Sequence, residues 1–294
     1  MKRNAALLWL WTSLAAVLLG QGPPSSRQDP QRGPMLVPQA VVLPRGDQEV
    51  SIDGTLADWP DLPALVLNDG RQLSGTAPSA WNGPRDCAAM AFMMWDVDHL
   101  YVAVSVRDEW HRALDAATIQ LSEIPLADSI VLTFDPDRNT RSLGPDAGRR
   151  EDREFWLADE DGRQVVQWDR LRGTARMLDK AAARVVCLHD KEQGITTYEA
   201  KLPWHEILAA DRAVEAGLVV DLEIVVNDFD EATDPIPQTR IGWTFGCGPV
   251  IDPGLFGSIM LVADRQALQG QVPEFPPKPP ASRHPLGTPE EWHD

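Results

Sequence analysis

The sequence predicts an all-β fold, an antiparallel β-sandwich with one or two short helices. Many short segments rich in β-branched and aromatic residues are separated by turn residues, which is typical of strands in a sandwich. Helical patterns long enough to cover a parallel sheet are missing, so βαβ architectures are disfavoured. An apolar share of 43% is enough for a substantial core.

Alternation and flanking turn residues place the strands and the few helices. A brief helix is predicted at residues 203–208, with proline in its first turn, and a second at 113–121. Turns are predicted at 159–162, where Asp-Gly accepts positive φ, and at 190–194. The strands are predicted near residues 49–53, 64–67, 88–95, 101–106, 129–134, 154–158, 164–168, 184–189, 196–202, 219–227, 240–245 and 258–262.

The two ends of the chain differ from its middle. Residues 1–20 combine Lys2 and Arg3 with a mostly apolar run, which is typical of a signal peptide and predicts export to the periplasm, the cell surface or the medium. Residues 21–45 are rich in Pro, Gln and Ser, which predicts a linker, and residues 265–294 predict a disordered, proline-rich tail. The folded domain is therefore expected at 46–264, with no transmembrane span in the mature chain.

Net charge and cysteine spacing limit the partners. The net charge of -17 disfavours nucleic acid and anionic membranes, which need Lys and Arg to neutralise phosphates. Cys87, Cys187 and Cys247 lie far apart, so neither a zinc cage nor a redox pair is indicated. One disulfide with a leftover thiol, or three small core residues, both fit this spacing.

The central segment, residues 99–136, is predicted to be a pair of strands joined by a loop. Asp108 follows the first strand, Asp128 precedes the second, and Trp110 and His111 lie in the loop. An imidazole beside two carboxylates can hold a ligand hydroxyl or a metal. The simpler interpretation, which we favour, is that the aspartates cap loop amides and the histidine pairs with one of them.

An ordered series of motifs runs through the predicted domain: IDGTLADW at 52–59, WDVDHLYV at 95–102, DSI at 128–130 with DP at 135–136, YEAKLPW at 198–204, VVND at 225–228 and DPGLFG at 252–257. Over about residues 49–262 this series resembles the family 9 carbohydrate-binding modules. The resemblance implies a β-sandwich, no catalysis, structural calcium, and a cleft in which two tryptophans grip a sugar. Apolar pyranose faces lie on aromatic rings while polar side chains bind the hydroxyls.

The chain departs from this family at the cleft. Pro125 and Val250 stand where the family has its two tryptophans, and Val131 stands where it has an acidic residue. Trp156 lies in a strand that borders the family cleft, so it is predicted either to be a replacement platform or to pack in the core. Asn227 and Asp228 end a strand on the cleft side and are predicted either to contact a ligand or to cap a turn.

Calcium has its own candidates. Asp135, Asp137 and Asn139 place oxygen ligands at short spacing in an acidic loop, as Ca²⁺ prefers, although solvated charge also explains such a loop.

Three functions follow from these observations. The leading hypothesis is an exported, non-catalytic module that binds an oligo- or polysaccharide, with an accessory role in polysaccharide breakdown. The second is a structural or protein-interaction sandwich of the cell envelope without a sugar cleft. The third is a haem-binding sandwich, as in related cytochrome domains, in which Met90, Met93 or Met94 pairs with His99 or His111. No nucleophile elbow, phosphate loop or zinc-binding helix motif suggests an enzyme.

Overall fold

A computed structural model of the protein describes residues 38–73, 81–108, 110–112, 127–139, 152–158, 166–169, 174–229, 239–244, 252–264 and 274–275. Strands dominate these residues, and their α-helix is one turn long, at Trp204–Ile207 (α1). The predicted all-β sandwich and the helix near 203–208 are confirmed. The helix predicted at 113–121 and the turn at 159–162 lie outside the described residues. Within the described part of the chain, no helix has the length and apolar character needed to cross a bilayer.

Every predicted strand except residues 49–53 overlaps a strand of the structure. β1 and β8 have no counterpart among the predictions. The strands are β1 (Gln39–Pro44), β2 (Leu65–Leu67), β3 (Cys87–Trp95), β4 (His99–Asp108), β5 (Ser129–Asp135), β6 (Arg153–Leu157), β7 (Val166–Asp169), β8 (Thr174–Met177), β9 (Arg184–Asp190), β10 (Ile195–Pro203), β11 (Val219–Asp228), β12 (Thr239–Gly242) and β13 (Gly257–Leu261).

These strands form two sheets. Sheet A has the order β8-β7-β6-β5-β11-β13-β1, and β12 also pairs with β11. Sheet B has the order β1-β3-β4-β10-β9, and β2 also pairs with β3. The pairs are antiparallel except at β1, which runs parallel to both β13 and β3 and so passes from one sheet to the other.

The main core lies between the sheets and follows from strand alternation. Leu132 of β5 lies opposite Ile224 of β11, and both are fully buried against the inner face of sheet B, to which β4 contributes Val102 and Val104. Because side chains alternate between faces, the neighbours of Leu132 and Ile224 along their strands point to the opposite, outer face of sheet A. That outer face carries the candidate functional site.

The strand β1 corrects the predicted domain boundary. The linker predicted through residue 45 is wrong for Gln39–Pro44, which crosses both sheets and buries Val42 and Leu43. Its apolar run is only residues 40–43, and the surrounding proline and glutamine hid it. Residues 49–53 form no strand; they belong to a segment that wraps over sheet B.

Several predictions about individual side chains are also settled. Met93 and Met94 are buried in apolar clusters, so they pack in the core, and haem binding stays a prediction. Cys87 is a buried free thiol, while Cys247 lies outside the described residues. In the predicted tail, Phe275 packs against the cluster that contains Met94, so a disordered tail is the wrong prediction for this residue.

One buried carboxylate holds the segment that includes the IDGTLADW motif. Glu199 of β10 has no exposed surface, and it accepts hydrogen bonds from Asp53 N and Gly54 N, both at 2.8 Å, and from the indole N–H of Trp59. Gly54 has φ of +87°, and a Cβ there would lie 2.8 Å from the Cβ of Leu188 in β9. The Asp-Gly pair therefore lets the segment turn tightly against sheet B.

Replacing this carboxylate should loosen the segment. Glu199→Ala leaves three donors without their acceptor, and we expect a loss of roughly 3 kcal/mol in the free energy of unfolding. Urea denaturation of the full chain measures it. The control, Glu192→Ala in the exposed β9–β10 turn, should leave the midpoint unchanged. An unchanged midpoint for Glu199→Ala would show that the segment does not depend on Glu199.

Candidate functional site

The outer face of sheet A is built in rows, because residues directly opposite one another in antiparallel strands share a face. One row, here named the polar row, crosses four strands in the order Trp168 (β7), Glu154 (β6), Thr133 (β5) and Glu223 (β11). With strands spaced about 4.8 Å apart, this row is roughly 14 Å long. It places an aromatic ring, two carboxylates and a hydroxyl on one surface.

The two carboxylates of the polar row have hydrogen-bond donors, whereas its hydroxyl group does not have a partner among the described residues. Glu154 accepts the indole N–H of Trp156 at 2.6 Å, and Glu223 accepts the backbone N–H of Thr244 at 2.8 Å and its hydroxyl. Between them, the Thr133 hydroxyl is buried and has no hydrogen-bond partner among the described residues. A buried hydroxyl without a partner is costly, so Thr133 marks a place where a ligand or water hydroxyl would be stabilised.

Two neighbouring rows complete the face. The middle row is apolar and runs Val225, Val131, Trp156, Val166 across the same four strands. The next row pairs Asn227 with Ser129; the Asn227 amide donates to the Ser129 hydroxyl at 3.1 Å and accepts from Arg240 Nε at 3.0 Å. The face therefore combines apolar surface with amide, guanidinium and hydroxyl groups.

The two tryptophans of this face have different roles. Trp156 is only 4% exposed, and its ring stacks on Trp168 at 5.0 Å between centroids and 21° between planes. The predicted platform at Trp156 is therefore wrong, because its face is covered, and the core interpretation is correct. Trp168 is half-buried and is the outer ring of the pair. The turn predicted at 159–162 was a signal for it, since a hairpin in that region implies the antiparallel pairing of β6 with β7 that places Trp168 opposite Glu154.

Three other predicted residues meet at one end of the sandwich. Asp108 ends β4, Asp128 directly precedes β5, and His111 lies in the loop between them; their ligand atoms all lie within 4.8 Å of one another. We name this group the end cluster. Both aspartates are buried, and His111 Nδ1 lies 3.2 Å from Asp128 Oδ2. The predicted convergence of these three residues is present in the structure.

The aspartates of the end cluster also cap loop amides, as the simpler interpretation predicted. Asp108 Oδ1 accepts from Trp110 N at 2.8 Å, and Asp128 accepts from Arg112 N and, at 2.9 Å, from Phe229 N. The last of these bonds ties the end cluster to the end of β11. The Trp110 side chain is 38% exposed beside the cluster.

Burial raises the pKa of both carboxyl groups. Desolvation, and then the charge of Asp128, raises the pKa of Asp108 to about 8. Desolvation raises the pKa of Asp128 to about 7, although hydrogen bonds from Arg112 N and Phe229 N oppose this shift.

The imidazole of the end cluster is held in place from sheet B. His111 stacks on His189 of β9, with 4.8 Å between ring centroids and 19° between planes. The hydroxyl of Thr196 lies 2.9 Å from His189 Nδ1 and 3.4 Å from His111 Nδ1. Sequence reasoning missed His189 and Thr196, since only the β9–β10 pairing brings them to the cluster.

The remaining predicted residues lie close by or elsewhere. Asn227 lies on the outer face, and Asp228 is buried next to it at the end of β11. Asp135, the first residue of the calcium prediction, is buried at the end of β5, whereas Asp137 forms an ion pair with Arg212 at 2.9 Å. Among the described residues, neither aspartate belongs to a group of three potential metal ligands. Calcium at Asp135, Asp137 and Asn139 stays a prediction.

The sites of the missing family tryptophans, Pro125 and Val250, lie outside the described residues. Val131, which replaces the family's acidic residue, lies in the middle row of the outer face and is 5% exposed.

Solved structures resemble the chain, although no protein-family model and no curated protein sequence matches it. A family 9 carbohydrate-binding module from Caldicellulosiruptor kristjanssonii in complex with cellotriose superposes with a TM-score of 0.53 at 18% identity, covering 81% of this chain and 100% of that chain. A structure described as the same type of module from that organism, in complex with glucose, gives 0.50 at 18% identity, with 77% and 96% covered.

A Bacteroides uniformis protein with a provisional carbohydrate-binding assignment gives a TM-score of 0.51 at 8% identity, covering 76% of this chain and 98% of that chain. The likeness spans nearly the whole of each neighbour. The chain therefore has the fold of the family 9 carbohydrate-binding modules, as the order of its sequence motifs predicts.

Proposed function

We propose that the protein is an exported, non-catalytic carbohydrate-binding module, and that it binds an oligo- or polysaccharide on the outer face of sheet A. The observation that carries this proposal is the polar row, in which the partly exposed ring of Trp168 is aligned with Thr133, between Glu154 and Glu223. The Thr133 hydroxyl has no hydrogen-bond partner among the described residues. An aromatic face beside convergent polar groups suits a ligand with apolar C–H surfaces and many hydroxyls.

The choice of ligand class rests on the fold neighbours. Because modules of this fold are described in complex with cellotriose and glucose, glucans are the first class to test. The acidic balance of the chain supports a neutral polysaccharide over an anionic one, since a net charge of -17 repels polyanions. Periplasm or cell surface is the proposed location, on the evidence of residues 1–20 alone.

A second function has its own support. Trp156, Thr133 and Glu223 are all buried, which is what a sandwich that has lost its cleft would have on this face. A structural or protein-interaction role in the cell envelope would then replace sugar binding. The two functions make different predictions for substitution of Trp168 or Thr133. Glycan binding should weaken if the face binds sugar, and there should be no glycan binding to weaken if the cleft has been lost.

The first test removes the outer ring. Trp168→Ala in the full chain should weaken binding to cello-oligosaccharides about tenfold, because aromatic packing contributes about 1.5 kcal/mol at such a contact. Trp168→Phe should retain most of the affinity. Isothermal titration calorimetry gives both values, and Leu188→Ala on the exposed edge of sheet B serves as the control. Equal affinities for wild type and Trp168→Ala would exclude this ring from the site.

The second test separates binding from stability. Thr133→Val keeps the shape of the side chain and removes a buried hydroxyl without a partner, so the melting temperature should stay equal or rise. Affinity for the glycan should nevertheless fall several-fold, since the hydroxyl is then absent from the polar row. Thr197→Val in β10 is the matched control. If affinity persists in Thr133→Val, the ligand does not use the polar row.

A further inference from the structure

The end cluster, which comprises Asp108, His111 and Asp128, has the composition and geometry of a cation site. Two ligand atoms bonded to one ion at about 2.1 Å lie roughly 3–4 Å apart. His111 Nδ1 and Asp128 Oδ2 are 3.2 Å apart, and the separations within the whole group stay within 4.8 Å. A small inward movement of side chains would bring all three onto one ion.

The carboxylates of the end cluster are buried beside two basic side chains. Asp108 and Asp128 are 4% and 6% exposed, His111 Nδ1 lies 3.2 Å from Asp128 Oδ2, and the charge of Arg112 favours the ionised form of Asp128. The ligand oxygens of the two carboxylates lie within 4.8 Å of each other. Two buried carboxylates this close together repel each other, and a bound cation would relieve that repulsion.

The chain contains a second group of two aspartates and a histidine, with which the end cluster can be compared. Asp96, Asp98 and His99 form the other group of this kind among the described residues. There Asp96 accepts from Arg45 Nε, the Tyr101 hydroxyl and two backbone N–H groups. A guanidinium already balances that carboxylate, and Asp98 is exposed. The end cluster differs from this group in that both of its aspartates are buried.

We propose that the end cluster binds one divalent transition-metal ion, of the type of Zn²⁺ or Mn²⁺, through Asp108, His111 and Asp128. The imidazole nitrogen decides the class of metal, because Ca²⁺ and Mg²⁺ take oxygen ligands whereas a mixed set of nitrogen and carboxylate donors suits first-row transition metals. The stacking of His111 on His189 and the backbone donors to both aspartates hold the ligands in place.

The consequence for the fold follows from where the ligands lie. Asp108 ends β4 in sheet B, and Asp128 directly precedes β5 in sheet A. Asp128 also accepts a hydrogen bond from Phe229 N, just beyond the end of β11. An ion here joins the two sheets at the end of the sandwich. This site is separate from the polar row, so it stands or falls independently of glycan binding.

The test uses the full chain, freed of any affinity tag and treated with EDTA. Calorimetric titration with Zn²⁺ and with Mn²⁺ should show one site, and bound metal should raise the melting temperature. Asp128→Asn and His111→Ala should each weaken the affinity tenfold or more, while His99→Ala, in the comparison group, should bind as wild type does.

A direct readout avoids dependence on folding of the variants. On titration of wild-type protein with Zn²⁺, the imidazole ¹⁵N resonances of His111 should shift in a one-to-one manner, and those of His99 should stay in place. Absence of Zn²⁺ and Mn²⁺ uptake would overturn the proposal. Binding of Ca²⁺ alone, or uptake that His111→Ala leaves unchanged, would overturn it as well.

Discussion

The register in which β5 pairs with β11 decides what each face of sheet A presents. Leu132 opposite Ile224 fills the core, and the adjacent pair, Thr133 opposite Glu223, points the other way. A shift of one residue in the strand register would exchange the residues of the two faces. It would place a carboxylate in the core and an exposed leucine on the outer face. The core requires Leu132 and Ile224 to face sheet B, and this requirement fixes the position of the polar row on the opposite face. The candidate site therefore depends on core packing by residues that are not part of the site.

Burying so many polar groups requires a partner for each of them. On the outer face these partners are local: an indole for Glu154, the backbone and hydroxyl of Thr244 for Glu223. Thr133 has no such partner in the part of the chain that the structure describes, and it lies in the middle of the proposed sugar site. In the end cluster the carboxylates have backbone donors and one imidazole, which leaves their charges only partly compensated.

Alternation and turn residues predicted most of the strands, because both signals are local in sequence. β1 was not predicted because residues 40–43 are a short apolar run between prolines. β8 was not predicted because apolar and polar residues alternate only weakly in residues 174–177, which lie at the edge of the sheet. For the site, the proximity of Asp108, His111 and Asp128 was predicted correctly, because these residues lie in or next to one loop. Sequence reasoning named Trp156 as the candidate platform and not Trp168. Which of the two rings is buried depends on how β7 pairs with β6, and this pairing cannot be inferred from local sequence.

The most direct measurement of sugar binding on the outer face is an indole ¹H–¹⁵N spectrum of the full chain during titration with cellotriose. The chain has 11 tryptophans, and Trp168 is the ring that the proposal places against the sugar. Its resonance should shift to saturation, while those of the core residues Trp95 and Trp204 should stay fixed. A spectrum in which no indole resonance moves, or in which Trp168 stays fixed while another moves, would contradict the account.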